Sequence, residues 1–144
     1  MIFRFVVRKL KWLARIPLLP HVFDSFLLIA AILFDRPRLR AREIFEQAIS
    51  RREEIHFAPH RFGGIGFFVE RNEIGHLHGN GLLDLLVGKP ARTDLINKGL
   101  AMPHHVLPDS GWISFWLSRP SEACHALELF ELARVHCVKG ESVN

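Results

Sequence analysis

The stretch Ile65-Gly-Phe-Phe-Val-Glu70, Arg71-Asn72, Glu73-Ile-Gly-His-Leu-His78 decides how this chain of 144 residues is read. Two short apolar runs separated by a two-residue polar turn predict a β-hairpin, and a hairpin is antiparallel. Downstream, Gly79-Asn80-Gly81 is a turn signal and Leu82–Val87 a further short strand. Trp112–Leu117 alternates as a strand, with Trp112, Ser114 and Trp116 on one face and Ile113, Phe115 and Leu117 on the other. Upstream, Pro59-His-Arg-Phe-Gly-Gly64 reads as a loop. Apolar residues at helical spacing predict helices over Leu39–Arg51 and Ser121–Cys137, with a short one over Thr93–Lys98 closed by Gly99. Hairpin strands followed by a C-terminal helix imply an α+β fold: an antiparallel sheet with helices on one face, preceded by an apolar, basic helical N-terminal segment. The expected organisation is residues 1–50 as that segment and 51–144 as the α+β domain.

The N-terminal segment differs in charge from the rest. Residues 1–42 hold nine basic side chains and two acids, a net +7, whereas the remainder is net −3. A basic segment of this kind points to a polyanionic surface. Its basic residues are interleaved with Phe, Trp, Leu and Val, which favours an anionic membrane surface over nucleic acid. The apolar run Phe26–Phe34 is closed by Asp35-Arg36-Pro37, and extending it back to Val22 crosses Asp24. A spanning helix needs about 20 apolar residues, so no clean transmembrane helix is expected. No small-x-small cleavage site follows Phe34, which weakens a signal-peptide reading. The expectation is a peripheral or shallowly inserted protein on the cytoplasmic side of a membrane. The alternative is two core helices of a cytoplasmic domain. Cys124 and Cys137 are 13 positions apart on one expected helix, too far to bridge at about 1.5 Å per residue, so both are read as free thiols.

There is no tyrosine, so proton chemistry falls to His, Asp and Glu. Five of nine histidines (His60, His76, His78, His104, His105) share one window. Imidazole can exchange protons near neutral pH or bind a metal. His76 and His78 are two apart on a strand and share a face, together with Ile74; Glu73, Gly75 and Leu77 are expected on the other. The pair could be two metal ligands, a base with its orienting partner, or plain strand histidines. Asp84 sits among four leucines and must find a partner or raise its pKa. His104 and His105 lie in a Pro-flanked connection, where successive side chains point apart, so one of them is expected to reach the site. Asp109 and Ser110 are turn formers, and no Gly-x-Ser-x-Gly elbow makes Ser110 a nucleophile. The spacing matches no established metal motif, and phosphate-loop and dinucleotide fingerprints are absent.

The runs Arg61-Phe-Gly-Gly64, Glu73-Ile-Gly-His-Leu-His78, Gly99-x-Ala-x-Pro-His104-His and Ser110-Gly-Trp112-Ile-Ser-Phe115 resemble the luciferase-domain family of small bacterial and fungal proteins. The resemblance covers roughly His60 to Val138. Glu73, Ile74, His76 and His78 match a Glu-Ile-Ala-His-Met-His run of the fungal luciferase, which also starts with a predicted membrane segment. Asp84 and the Asp109-Ser110-Gly111 turn have no clear fungal counterpart, and Gly75 replaces an alanine. The resemblance implies an oxygenase that uses molecular oxygen without metal or organic cofactor on a small aromatic or enolic substrate. Light emission is not expected. On that reading His76 or His78 is the base, Glu73 or Asp84 orients it and His104 stabilises the anion. Trp112, Trp116, His105 and Phe67 would line the substrate pocket. Two rivals stay open: a metal-dependent hydrolase using the same histidines, and a non-enzymatic small-molecule binding module at the membrane surface.

Overall fold

The computed structural model describes residues 18–140. The expected interleaved basic–apolar helix before Leu18 and the end of the C-terminal tail lie outside the described residues. The chain is α+β. Among the described residues the α-helices are α1 (Leu19–Phe34), α2 (Arg36–Ser50), α3 (Lys89–Asn97) and α4 (Ala123–Val138). Its strands are β1 (Ile55–Pro59), β2 (Ile65–Val69), β3 (Asn72–Leu77), β4 (Leu82–Leu86), β5 (Met102–Pro103) and β6 (Trp112–Trp116). They form one antiparallel sheet in the order β1-β2-β3-β4-β6-β5.

The hairpin that fixed the fold class is present as β2–β3, with Glu70 in a left-handed conformation at its turn. β4 and β6 follow as expected. β1 and β5 were not legible. In β1 only Ile55 is buried, so it has no alternation to read. β5 is two residues long and contains Pro103, which an edge strand tolerates because one side of it pairs with nothing. α2 starts three residues earlier than the periodicity predicts, because Asp35 accepts a hydrogen bond from the Arg38 N–H and caps it. α3 starts four residues early, with Pro90 in its first turn.

One face of the sheet carries the core. Phe67, Ile74, Leu77, Leu83, Leu85 and Ile113 are fully buried there with Ala41, Phe45 and Ile49 of α2 and Ala126, Phe130 and Ala133 of α4. Phe45, Phe67 and Phe130 meet edge to face at 5.8 to 5.9 Å, each pair adding about 1 kcal/mol beyond its buried area. The core therefore runs across position 50 without a break.

Strand register fixes what the opposite face carries. His76 pairs with Asp84, and Asp84 with Ser114, so those three side chains stand side by side. At Gly75 a Cβ would run into the carbonyl oxygen of Asp84, so glycine is what lets β3 and β4 close up beside the site. One expectation of parity fails. A β-bulge opposite Phe67/Phe68 puts an extra residue into β3, so Phe67 pairs with Gly75 but Phe68 with Glu73. Ile74 consequently turns into the core and Glu73 turns to the histidine face, the reverse of strict alternation.

Candidate functional site

A single carboxylate oxygen organises the site. Asp84 Oδ2 lies 3.3 Å from His76 Nε2, 3.3 Å from His78 Nε2, 3.6 Å from His105 Nδ1 and 3.7 Å from His104 Nε2. Its other oxygen accepts the Ser114 hydroxyl. Asp84 is fully buried, and His76, His78 and His104 are buried with it. Both adjacent histidines of the 104–105 connection reach the site, not one. His104 Nδ1 accepts the N–H groups of Val106 and Leu107, which folds a tight turn and brings the two rings into a stack at 4.6 Å.

A second carboxylate buttresses the first. Glu73 Oε1 lies 2.8 Å from His76 Nδ1 and 3.2 Å from His60 Nε2. The His60 ring stacks on His76 at 3.8 Å, nearly parallel. A third carboxylate comes from α1. Asp24 Oδ1 accepts the Gly79 N–H at 2.6 Å and lies 3.9 Å from His78 Nδ1. Arg42 of α2 donates to the His78 carbonyl at 2.8 Å and pairs with Glu46, which anchors the β3–β4 turn from the helix side.

Partners set the protonation states. Burial opposes charge on His76, but hydrogen bonds to Asp84 and Glu73 outweigh it and lift its pKa to about 9. Both its nitrogens face carboxylates, so His76 is an imidazolium at neutral pH. Burial likewise opposes ionisation of Glu73, yet hydrogen bonds from His60 and His76 bring it down to about 2. Burial would raise Asp84, but hydrogen bonds from His105, His76 and His78 hold it well below the usual carboxylate range. Burial pushes His78 down, against the hydrogen bond to Asp84 that opposes it. Burial is also the main cause that takes His104 down to about 4, against the opposing charge of Asp84 and with the neighbouring histidines adding to it. His78 and His104 are therefore neutral.

Tautomers follow. A carboxylate only accepts, so His78 presents Nε2–H to Asp84 and keeps its lone pair on Nδ1. His104 uses its Nδ1 lone pair on two backbone N–H groups, so its Nε2–H points toward Asp84. The cluster thus holds an imidazolium and two neutral imidazoles, of which His104 is aimed as a donor.

Of the expected site residues, His76, His78, His104, His105, Asp84 and Glu73 come together. Trp112 joins them, with its ring 5.6 Å from His76 and 5.8 Å from His104. Trp116 stands on the strand face that carries Trp112 and Ser114. Phe67 does not line the site; it is on the helix side, wedged among Phe45, Phe57 and Phe130. Sequence reasoning did not assign Asp24, His60 or Ser114 to the site. Asp24 carried a signal, as the one acid interrupting an apolar run, and His60 belonged to the histidine window. Ser114 shares strand parity with Trp112 but nothing else marked it.

Among the described residues, three sets of side chains bring donor atoms within 4.8 Å of one another and could hold a metal ion: His60, Glu73 and His76; His76, His78 and Asp84; and Asp84, His104 and His105. The tautomer of His104 fits a donor better than a ligand, because its Nε2 carries a proton.

Residues 71–133 match a family model described as the Luciferase domain. That stretch contains Glu73, both histidine pairs, Asp84, Trp112 and Ser114, and leaves Asp24 and His60 outside. None of the curated proteins matches the chain, and none of the solved structures does.

Proposed function

We propose that the buried histidine cluster is the catalytic centre of an oxygenase acting on a small aromatic or enolic substrate, a reading supported by the match of residues 71–133 to the Luciferase domain model. The observation that carries the reading is the ring of four imidazoles around one carboxylate oxygen, held in different protonation states. A substrate with an acidic C–H or enol O–H loses its proton to the neutral His78 imidazole. Asp84 and Asp24 flank the imidazolium that forms. The substrate anion lies against the His76 imidazolium and the Nε2–H of His104, which stabilise its charge. Molecular oxygen is the co-reactant. The electron-rich anion passes an electron to it, a C–O bond forms, and the resulting peroxide takes back the proton from His78. The substrate is oxidised and oxygen reduced, so the balance closes without a further redox partner. Trp112, His105 and Trp116 offer aromatic walls for a flat substrate.

The test is oxygen uptake by the purified protein across a panel of hydroxylated pyrones and related enolic aromatics. The account expects uptake that is lost in His78→Gln and His76→Ala and retained after chelation. Uptake that survives both substitutions would sink it. A second reading, a metal-dependent hydrolase on His76, His78 and Asp84, draws support from the convergence of their donor atoms. A metal there would act as a Lewis acid. It requires stoichiometric metal in the purified protein by elemental analysis.

A further inference from the structure

α1 is apolar nearly all round, with Ala31 its one buried residue. Its inner face presents Asp24, which binds Gly79 beside His78, and its backbone approaches so closely that a Cβ at Gly79 would meet the Asp24 carbonyl and one at Gly63 the Pro20 carbonyl. Its outer face is apolar and open. Val22 is 63% exposed, Phe26 65%, Ile29 54% and Leu33 65%, at spacings of four, three and four, which is one stripe of a helix. Leu18, Ile32 and Phe34 extend it. An apolar stripe of this length, left open on a helix whose opposite face already meets the protein, marks an interaction surface.

Charge identifies the partner. The stripe itself carries no charged residue. Where it ends, the chain turns basic: Arg36, Arg38, Arg40 and Arg42 follow within eight positions of Phe34. Arg38, Arg40 and Arg42 pair with Asp35, Glu43 and Glu46, but Arg36 has no carboxylate partner among the described residues. Arg36 and Arg40 line a groove of about 430 Å³ with Ile32, Leu39 and Glu43, so two guanidinium groups and an aliphatic floor meet at the end of the apolar stripe. At 16 residues α1 covers about 24 Å, short of the roughly 30 Å of a hydrocarbon core. No helix among the described residues is long and apolar enough to cross a membrane. Such a helix lies in the interface. We propose that the outer face of α1 docks in the plane of an anionic lipid bilayer, with Phe26, Ile29 and Leu33 immersed and Arg36 on lipid phosphates. The helix whose Asp24 reaches the histidine cluster is then the one that touches the membrane. That placement holds whether or not the oxygenase chemistry does.

Flotation of the full chain with vesicles tests it. The protein is expected to float with phosphatidylcholine/phosphatidylglycerol vesicles and much less with phosphatidylcholine alone. Phe26→Glu/Leu33→Glu is expected to weaken binding at least tenfold, about the value of removing two partly immersed side chains. Arg36→Gln is expected to weaken it about fivefold. If the double variant fails to fold, as read by thermal melting, Arg36→Gln and a nitroxide on Ile29→Cys in a Cys124→Ser background carry the test. The label must lose access to an aqueous broadening agent when anionic vesicles are added. Any of three results overturns the proposal: the double variant floats like the parent, which assigns binding to the basic residues before Leu18; the label stays in water; or the parent is a dimer that the double variant dissociates, which makes a second copy the occupant.

Discussion

Replacing Asp84 with Asn removes the charge that sorts the histidines and keeps the shape. The amide oxygen can still accept the Ser114 hydroxyl. What is lost is the partner of a buried imidazolium. Asp84 and Glu73 together raise His76 from 6.5 to about 9, worth about 3 kcal/mol of preference for the charged ring. For a group whose pKa is raised on folding, that stability is fully present below the unfolded value of 6.5 and is lost as pH rises through about 9. Asp84→Asn leaves Glu73 in place and removes the larger share of this, so it is expected to cost about 2 kcal/mol near pH 6. Near pH 10 His76 is neutral in both proteins, and the parent is left with a buried carboxylate lacking a cation. The gap should shrink there to about 1 kcal/mol or less. Urea denaturation at the two pH values, with unchanged slopes, measures the difference. An equal cost at both would refute the pairing of Asp84 with a charged His76.

Three further outcomes are expected. Phe67→Ala should lower stability by about 3 to 5 kcal/mol in urea denaturation, because Phe67 is a core ring on the helix side; a loss under about 1 kcal/mol would return it to the site. Gly75→Ala should destabilise by more than about 1 kcal/mol, since its Cβ would collide with backbone of β4 that cannot swing aside; a neutral substitution would show that β3 and β4 are further apart. Exhaustive chelation should leave oxygen uptake unchanged, and uptake that falls and returns with one added divalent metal would favour the metal-dependent reading.

Much of this architecture is legible in the sequence because it rests on local signals. The β2–β3 hairpin is marked by two apolar runs around a polar turn, one residue earlier than expected at Glu70-Arg71, β6 alternates, and α4 shows helical spacing. What was not legible depends on contacts between distant segments. The bulge at Ile74 has no local signature, yet it moves Glu73 to the histidine face and Ile74 to the core. His105 reaches Asp84 because His104 spends its Nδ1 on the backbone of the same turn, a detail that spacing alone does not carry. Asp24 enters the site only because α1 folds back over Gly79, across 55 positions of chain. Phe67 has the composition of a pocket wall and the parity of a core residue, and parity decides.

The central claim is that one buried carboxylate holds its histidines in distinct protonation states at neutral pH. Nitrogen-15 NMR of the imidazole rings in the unliganded protein at neutral pH tests it directly. The account predicts His76 doubly protonated, His78 neutral with its proton on Nε2, and His104 neutral with its proton on Nε2. A neutral His76, or a His78 that is already an imidazolium and so has no lone pair to offer, would contradict it.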